Sequence, residues 1–151
     1  MATLRDITDF SEFAKLPNAN ELVIEDFRTH EGHVGGPFEG LPVILVHHVG
    51  AKTGKTRVSP MGYFPQEDGS MIVGATNGGQ PTNPSWYHNL KANPRIDVEV
   101  GTEKFPVVVE EIDGQERTDA WVQIAAIAPG YAAQRNYTSR TIPLLRLTRV
   151  D

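Results

Sequence analysis

Lys52, Lys55 and Arg57 stand beside Gly50 and Gly54 in the run VGAKTGKTRVSP, residues 49–60. The chain as a whole is acidic, with 19 Asp+Glu against 14 Lys+Arg, so this knot of positive charge does not follow from composition. Backbone N–H groups freed by glycine can turn toward phosphate oxygens, and Lys and Arg supply charge and donors. The chemistry that suits this pattern is the holding of an anion. The plainer reading is a solvated basic hairpin turn. The string also approaches a P-loop, G-x-x-x-x-G-K-[ST]. Gly54, Lys55 and Thr56 match its end, but Val49 stands where the first glycine belongs. A P-loop must open a helix. Here Pro60 and Gly62 follow, which breaks a helix and suits a strand with an irregularity. A nucleoside-triphosphatase is not expected.

Other reactive groupings are sparse. His30-x-x-His33 has ligand-like spacing but no third ligand near it, and His47 and His48, adjacent in a strand, face opposite ways. His88 stands apart, so no metal site is expected. There is no G-x-S-x-G elbow, and Ser59 and Ser85 have no adjacent base in sequence. Glu25-Asp26 and Glu110-Glu111 read as solvated surface charge. No G-x-G-x-x-G follows a strand, which argues against a Rossmann site. The absence of cysteine excludes disulfides, thiolate metal sites and a cysteine nucleophile. A net charge of -5 without a basic stripe argues against a nucleic-acid partner. Met1–Asp9 has no apolar core of a signal peptide, and no apolar run approaches the ~20 residues that span a bilayer. A cytoplasmic protein is expected.

The elements that must position the basic loop are legible in order. With 151 residues, 39% hydrophobic and 22% charged, the chain suits one globular domain with a real core. Residues 1–40 read as a helical or irregular segment. Ile7, Phe10, Phe13 and Ala14 fall at helical spacing, and a second helix starts at Asn20, carries Val23, Ile24 and Phe27 on one face, and ends at Gly32. Residues 41–151 read as the core. Leu41–Val49 is a strand buried on both sides, Arg57–Pro65 the next strand, Glu67–Ser70 a hairpin turn and Met71–Thr76 a third strand, all local and antiparallel. Asn83 caps a helix with Pro84 at its first position, and that helix stops before Pro94. Arg95–Val100 and Lys104–Ile112 form a second hairpin. Asp113–Ala128 is a helix ended by Pro129-Gly130, Tyr131–Arg140 an irregular aromatic piece and Thr141–Val150 a last strand. Hairpin connections without parallel alternation predict a mainly β fold with helices, an antiparallel barrel.

The basic loop, the Gly78-Gly79 loop and the segment around Trp86 can meet at one cleft, with an anionic tail on the first and a flat ring on the others. Three stretches in register carry a family resemblance. The run Gly50-Ala51-Lys52-Thr53-Gly54-Lys55-Thr56-Arg57-Val58-Ser59-Pro60 resembles the T-G-[RA]-K-[ST]-G-x-x-R-x-x-P signature of the deazaflavin-dependent nitroreductase family. Asn77-Gly78-Gly79 with Asn83–Pro94 resembles its G-G-x-x-x-N-P-x-W-x-x-N-L-x-A-x-P segment. Glu116-Arg117, Trp121, Pro129-Gly130-Tyr131 and Thr138–Pro143 resemble its C-terminal elements, and Gly35–Gly40 also fits.

The resemblance implies a split antiparallel β-barrel related to the flavin-mononucleotide-binding barrels. It implies coenzyme F420, an 8-hydroxy-5-deazaflavin with a phosphate and an oligoglutamate tail. It implies hydride transfer from the reduced coenzyme to a quinone, a nitro compound or an activated alkene. By this likeness Lys52, Lys55 and Arg57 meet the phosphate or glutamates. Pro60, Met61, Tyr63, Thr76, Asn77, Gly78, Trp86 and Asn89 line the coenzyme pocket. Nitro-reducing relatives tend to carry P-x-Y-x-x-Y-x-x-Y in a segment facing the substrate; here the series is Tyr131, Gln134 and Tyr137, so the middle tyrosine is missing. The family's members are typically actinobacterial and cytoplasmic. Some touch the membrane face through the N-terminal segment, and a homodimer is a further expectation. A deazaflavin does two-electron chemistry by itself, which explains why no acid–base dyad stands out. The rival expectation is a protein that holds the coenzyme or another flavin without turnover.

Overall fold

A computed structural model describes residues 4, 7, 13, 15–77 and 80–150. The helical spacing at 7–14 and the Gly78-Gly79 loop fall largely or wholly outside these residues. The elements are α1 (Ala19–Thr29), β1 (Val43–Val49), β2 (Thr56–Gly62), β3 (Phe64–Pro65), β4 (Met71–Gly74), α2 (Ser85–Ala92), β5 (Arg95–Val100), β6 (Glu103–Ile112), α3 (Gly114–Ile127), α4 (Pro129–Ala132) and β7 (Leu144–Arg149).

All strands join one antiparallel sheet in the order β2-β1-β5-β6-β7-β4-β3. β2 and β3 stand at opposite edges of that order, yet only Tyr63 separates them. The two edges can be that close only if the sheet curls round until they meet. The result is a split barrel, mainly β with helices packed outside. Residues pointing inward alternate along each strand, as a barrel requires: Ile44 and Val46, Val73, Val98, Val107 and Leu145 form the interior. On the outside, Val23 and Phe27 of α1 cover Val43 and Leu45. Trp121 and Ile124 of α3 cover Phe64, Ile72 and Leu144 at another part of the wall.

Several boundaries differ from the expectation for physical reasons. The strand expected over 57–65 is broken at Tyr63, whose N–H donates to Pro42 O at 3.1 Å as the chain crosses between edges. Gly62 permits the close passage, since a Cβ there would lie 3.0 Å from Leu41 Cδ2. The helix expected from Asn20 begins at Ala19, with Asn18 in the cap position. It ends at Thr29, short of the Gly32 expected to end it: the chain turns through Glu31, at φ +57°, and Gly32, at φ +93°, where a Cβ would lie 2.6 Å from Gly101 Cα of the β5–β6 turn. Asn83 does not cap α2: Pro84 occupies the cap position and Asn83 Oδ1 accepts from Arg140 Nη1 at 2.7 Å. Pro129 opens the short helix α4, and Ala133–Tyr137 continues as a 3-10 turn, so the piece expected to be irregular is largely helical.

Candidate functional site

The interior face of the β1–β2 hairpin runs out of the barrel core at one end. Antiparallel register sets His48 opposite Arg57, Val46 opposite Ser59 and Ile44 opposite Met61. Directly opposed residues share a face, so Arg57, Ser59 and Met61 continue the interior wall outward. The turn beyond them is tight. Gly50 N–H donates to Lys55 O at 2.8 Å, and Gly54 N–H donates to Gly50 O at 2.9 Å. Gly54 sits at φ +71°. Lys52, Lys55 and Arg57 are exposed, and none has a carboxylate partner among the described residues. Other cations are engaged: Arg28 with Glu99, Lys91 with Glu111, Arg146 with Glu110 and Glu116.

Helix α2 lies across this end of the barrel. Leu90 is buried in the interior cluster, and Trp86 and Tyr87 pack against it. Asn89 is buried with both ends of its amide in use. Its Oδ1 accepts from Ala51 N–H at 2.9 Å, and its other end lies 2.9 Å from His48 Nδ1. His48 Nε2 lies 2.8 Å from Ser59 Oγ. The isolated serine of the sequence therefore has an imidazole beside it. The signal was present in the hairpin: a turn centred on 50–55 folds residue 48 back toward 57–59. Burial pushes the His48 imidazole below its ordinary range, and the Arg57 and His47 charges add to that. His47 faces the opposite way, as expected, with Nε2 2.6 Å from Glu99 Oε2.

The second wall is held by Arg140. Its Nε donates to Gln80 O at 2.9 Å, and its Nη2 to Ala75 O at 3.1 Å and Thr76 O at 2.8 Å, besides the bond to Asn83. One guanidinium thus gathers both flanks of the loop that contains Thr76, Asn77 and Gly78. Asn77 sits at φ +48° and its Nδ2 donates to Thr82 O at 2.9 Å. Gly78 is outside the described residues. Met61 and Tyr63 lean on the interior cluster, and burial raises the Tyr63 phenol above its usual value. Pro60, opposite Leu45, belongs to the other face of β2.

The three residues of the C-terminal series do not converge. The Tyr131 hydroxyl donates to Gly74 O at 3.2 Å, and the ring packs edge-on against Phe64. Burial pushes that phenol up to about 12. A Cβ on Gly74 would come within 2.6 Å of the Tyr131 hydroxyl oxygen, so only glycine lets the two meet. Gln134 keeps its Oε1 buried without a partner among the described residues. Tyr137 is 68% exposed. Two carboxylates read as surface charge are instead engaged. Asp26 Oδ2 accepts from Gly35 N–H at 2.9 Å, and Glu111 Oε1 accepts from the Tyr87 hydroxyl at 2.5 Å. Burial first, then Glu111, raises the Tyr87 phenol to about 12. No cluster of three or more metal-ligating side chains occurs among the described residues. Two surface depressions, at Gln66 and Arg146 and at Arg28 and Lys104, contain none of the predicted site residues.

A family model described as F420H(2)-dependent quinone reductase matches residues 21–149. The chain belongs to this family. An F420H(2)-dependent quinone reductase of Mycobacterium tuberculosis is 36% identical over 127 residues, 82% of this chain and 85% of that protein. A solved F420-H2 dependent reductase, FDR-A, superposes with a TM-score of 0.63 at 36% identity, covering 70% of this chain and 93% of that one. A structure described as a domain-swapped dimer gives a TM-score of 0.64 at 33% identity, covering 82% and 94%. A haem storage protein of Vibrio cholerae, HutZ, shares only the fold, at 15% identity and a TM-score of 0.53. The family is one of oxidoreductases whose cofactor is coenzyme F420, and quinone reduction is its named activity. The resemblance seen in the sequence and the split barrel are both borne out.

Proposed function

We propose that this chain reduces quinones with F420H2 and that the coenzyme lies across the barrel end described above. The observation that carries the reading is the set of three exposed cations, Lys52, Lys55 and Arg57, on one hairpin anchored through Ala51 to Asn89 of α2, the helix that also carries Trp86. That donor set fits an elongated anionic coenzyme. Lys52 and Arg57 meet the phosphate or tail carboxylates through charge-assisted hydrogen bonds, with Lys55 helping. Met61, Tyr63 and Trp86 supply an apolar bed for the ring. Thr76, Asn77 and Gly78 supply the loop that closes against it. The reduced coenzyme, when bound, supplies a hydride, so the protein's tasks are position, polarity and exclusion of water. Nitro compounds and activated alkenes are further acceptors in this reading. Of the series Tyr131, Gln134 and Tyr137, the last two border the acceptor side in this reading, while Tyr131 braces the wall behind them through Gly74 O. A homodimer and a peripheral membrane contact through the N-terminal segment belong to the same reading.

Two measurements test it. Changing Lys52 and Arg57 together to Ala should weaken coenzyme binding by about 2–4 kcal/mol where both pairs are desolvated. The loss should be larger for a long glutamate tail than for a coenzyme stripped of it. Fluorescence titration reads both, and unchanged affinity in the double variant would sink the assignment. Oxidation of reduced coenzyme by the purified protein with a menadione-like acceptor tests turnover; binding without oxidation would leave a coenzyme-holding protein instead.

A further inference from the structure

The contacts of Asn89 determine more than its own position. Ala51 N–H can only donate, so the amide end that faces it at 2.9 Å is Oδ1. The other end, Nδ2, then faces His48 Nδ1 at 2.9 Å and can only donate. Nδ1 is therefore an acceptor without a proton. The neutral ring carries its proton on Nε2 and donates it to Ser59 Oγ at 2.8 Å. That bond occupies a lone pair of Ser59 and leaves its own hydroxyl proton free. Ser59 is only partly buried, on the strand face that carries Arg57 and Met61. This arrangement differs from a hydrolase relay, in which imidazole takes the serine proton.

We infer that His48 is a positioning residue for the coenzyme: its neutral Nε2–H form turns the Ser59 hydroxyl outward as a donor and keeps Ala51 of the basic loop pinned to α2. This rests on the coenzyme reading above. Protonation of His48 would put Nδ1–H against Asn89 Nδ2. Rotating the amide to relieve that clash would put Nδ2 against Ala51 N–H. No orientation of a neutral amide satisfies both neighbours once the ring is charged, so the charged form releases either α2 or the loop. The surroundings oppose that form: Arg57 from β2 and His47 from β1 are the charged or titratable groups acting on it, α2 offers a neutral amide, and His48 as a residue is 2% exposed.

The test combines nitrogen NMR of histidine-labelled protein with fluorescence titration of coenzyme F420, from about pH 7.5 to about pH 5. In the unmodified chain His48 should show the Nε2–H tautomer. Coenzyme affinity should fall by about 5-fold, the factor carried by one hydrogen bond, with the midpoint of His48's own titration. His48→Gln keeps an N–H donor toward Ser59 and cannot titrate, so it should lack that fall; ionisation of the coenzyme appears in both proteins and cancels. Asn89→Asp can accept from both neighbours and should move the NMR and affinity midpoints upward together. Ser59→Ala should weaken binding at every pH without moving the midpoint. An Nδ1–H or charged ring near neutrality, or pH profiles that coincide for the unmodified chain and His48→Gln while binding is intact, would overturn the inference. Absence of binding in both proteins at all pH values would overturn the coenzyme reading itself, and the tautomer would still be measured.

Discussion

Gln134 is the residue whose chemistry departs most from its neighbours in the C-terminal series. As hydride arrives, an acceptor oxygen gains negative charge, and a phenol near its ordinary pKa of about 10 can both hydrogen-bond to it and help protonate it. An amide can donate a hydrogen bond but does not release a proton near neutral pH. Tyr131 does not substitute for it, because its hydroxyl is bound to Gly74 O and its pKa stands at about 12. Nitro reduction should therefore be weak and quinone reduction modest. Gln134→Tyr should raise nitroaromatic turnover by about 10-fold, the low end for one added acid or oxyanion donor. Steady-state kinetics with one nitroimidazole and one quinone decide it. Fast nitro reduction by the unmodified chain, no faster in the variant, would remove Gln134 from the reacting centre.

At the scale of elements, the candidate site is two loops tied to two different supports. The basic hairpin is tied to α2 through Asn89, and the 75–83 loop is tied to the C-terminal segment through Arg140. Arg140→Ala would strand the carbonyls of Ala75 and Thr76 together with Asn83 Oδ1. Losing charge-assisted bonds of this kind costs about 1.5–3 kcal/mol each, less where water replaces the donor. We expect a net destabilisation of about 2–3 kcal/mol in urea unfolding. Amide exchange should speed up at 75–77 while the β5–β6 hairpin is unchanged. Uniformly faster exchange in both places would show that Arg140 supports the whole barrel rather than this loop.

At the scale of the molecule, acid should act in two stages. Burial lowers His48 from its ordinary 6.5, so below that value the unfolded chain binds protons that the folded one refuses. The stability is complete above about pH 6.5 and declines as pH falls toward the folded value. Glu99 and Glu111 are held below their ordinary 4.5, by the Arg28 and Tyr87 hydrogen bonds respectively. Their contribution is complete above that value and is lost as pH falls through the folded values. Arg28 and Lys91 are half exposed, so water screens both ion pairs and the second stage should be shallow. Thermal unfolding followed against pH should show both declines, and His48→Gln should abolish the first alone. A single decline near pH 4, identical in both proteins, would contradict this.

The sequence by itself determined the local order of the molecule. Apolar runs at 41–49 and 71–76, turn residues at 67–70 and helical spacing at 113–128 are short-range signals, and each reappears within a few residues of its expected bounds. The resemblance in three registered stretches also placed the chain in its family. Only tertiary structure decided which strands meet. β1 pairs with β5 and β4 with β7 because the curled sheet brings those edges together, and no local pattern encodes such closure. The same closure breaks the strand at Tyr63, because one chain must serve both edges. The β1–β2 hairpin alone sets His48 against Ser59, but tertiary packing draws Asn89 of α2 onto His48 and beneath the basic loop. It sends Tyr131 into the wall while Tyr137 stays in solvent, since a short helix and a 3-10 turn between them point successive side chains to different sides. Residue types announce which chemistry is available; distances between side chains far apart in sequence decide which of it is assembled.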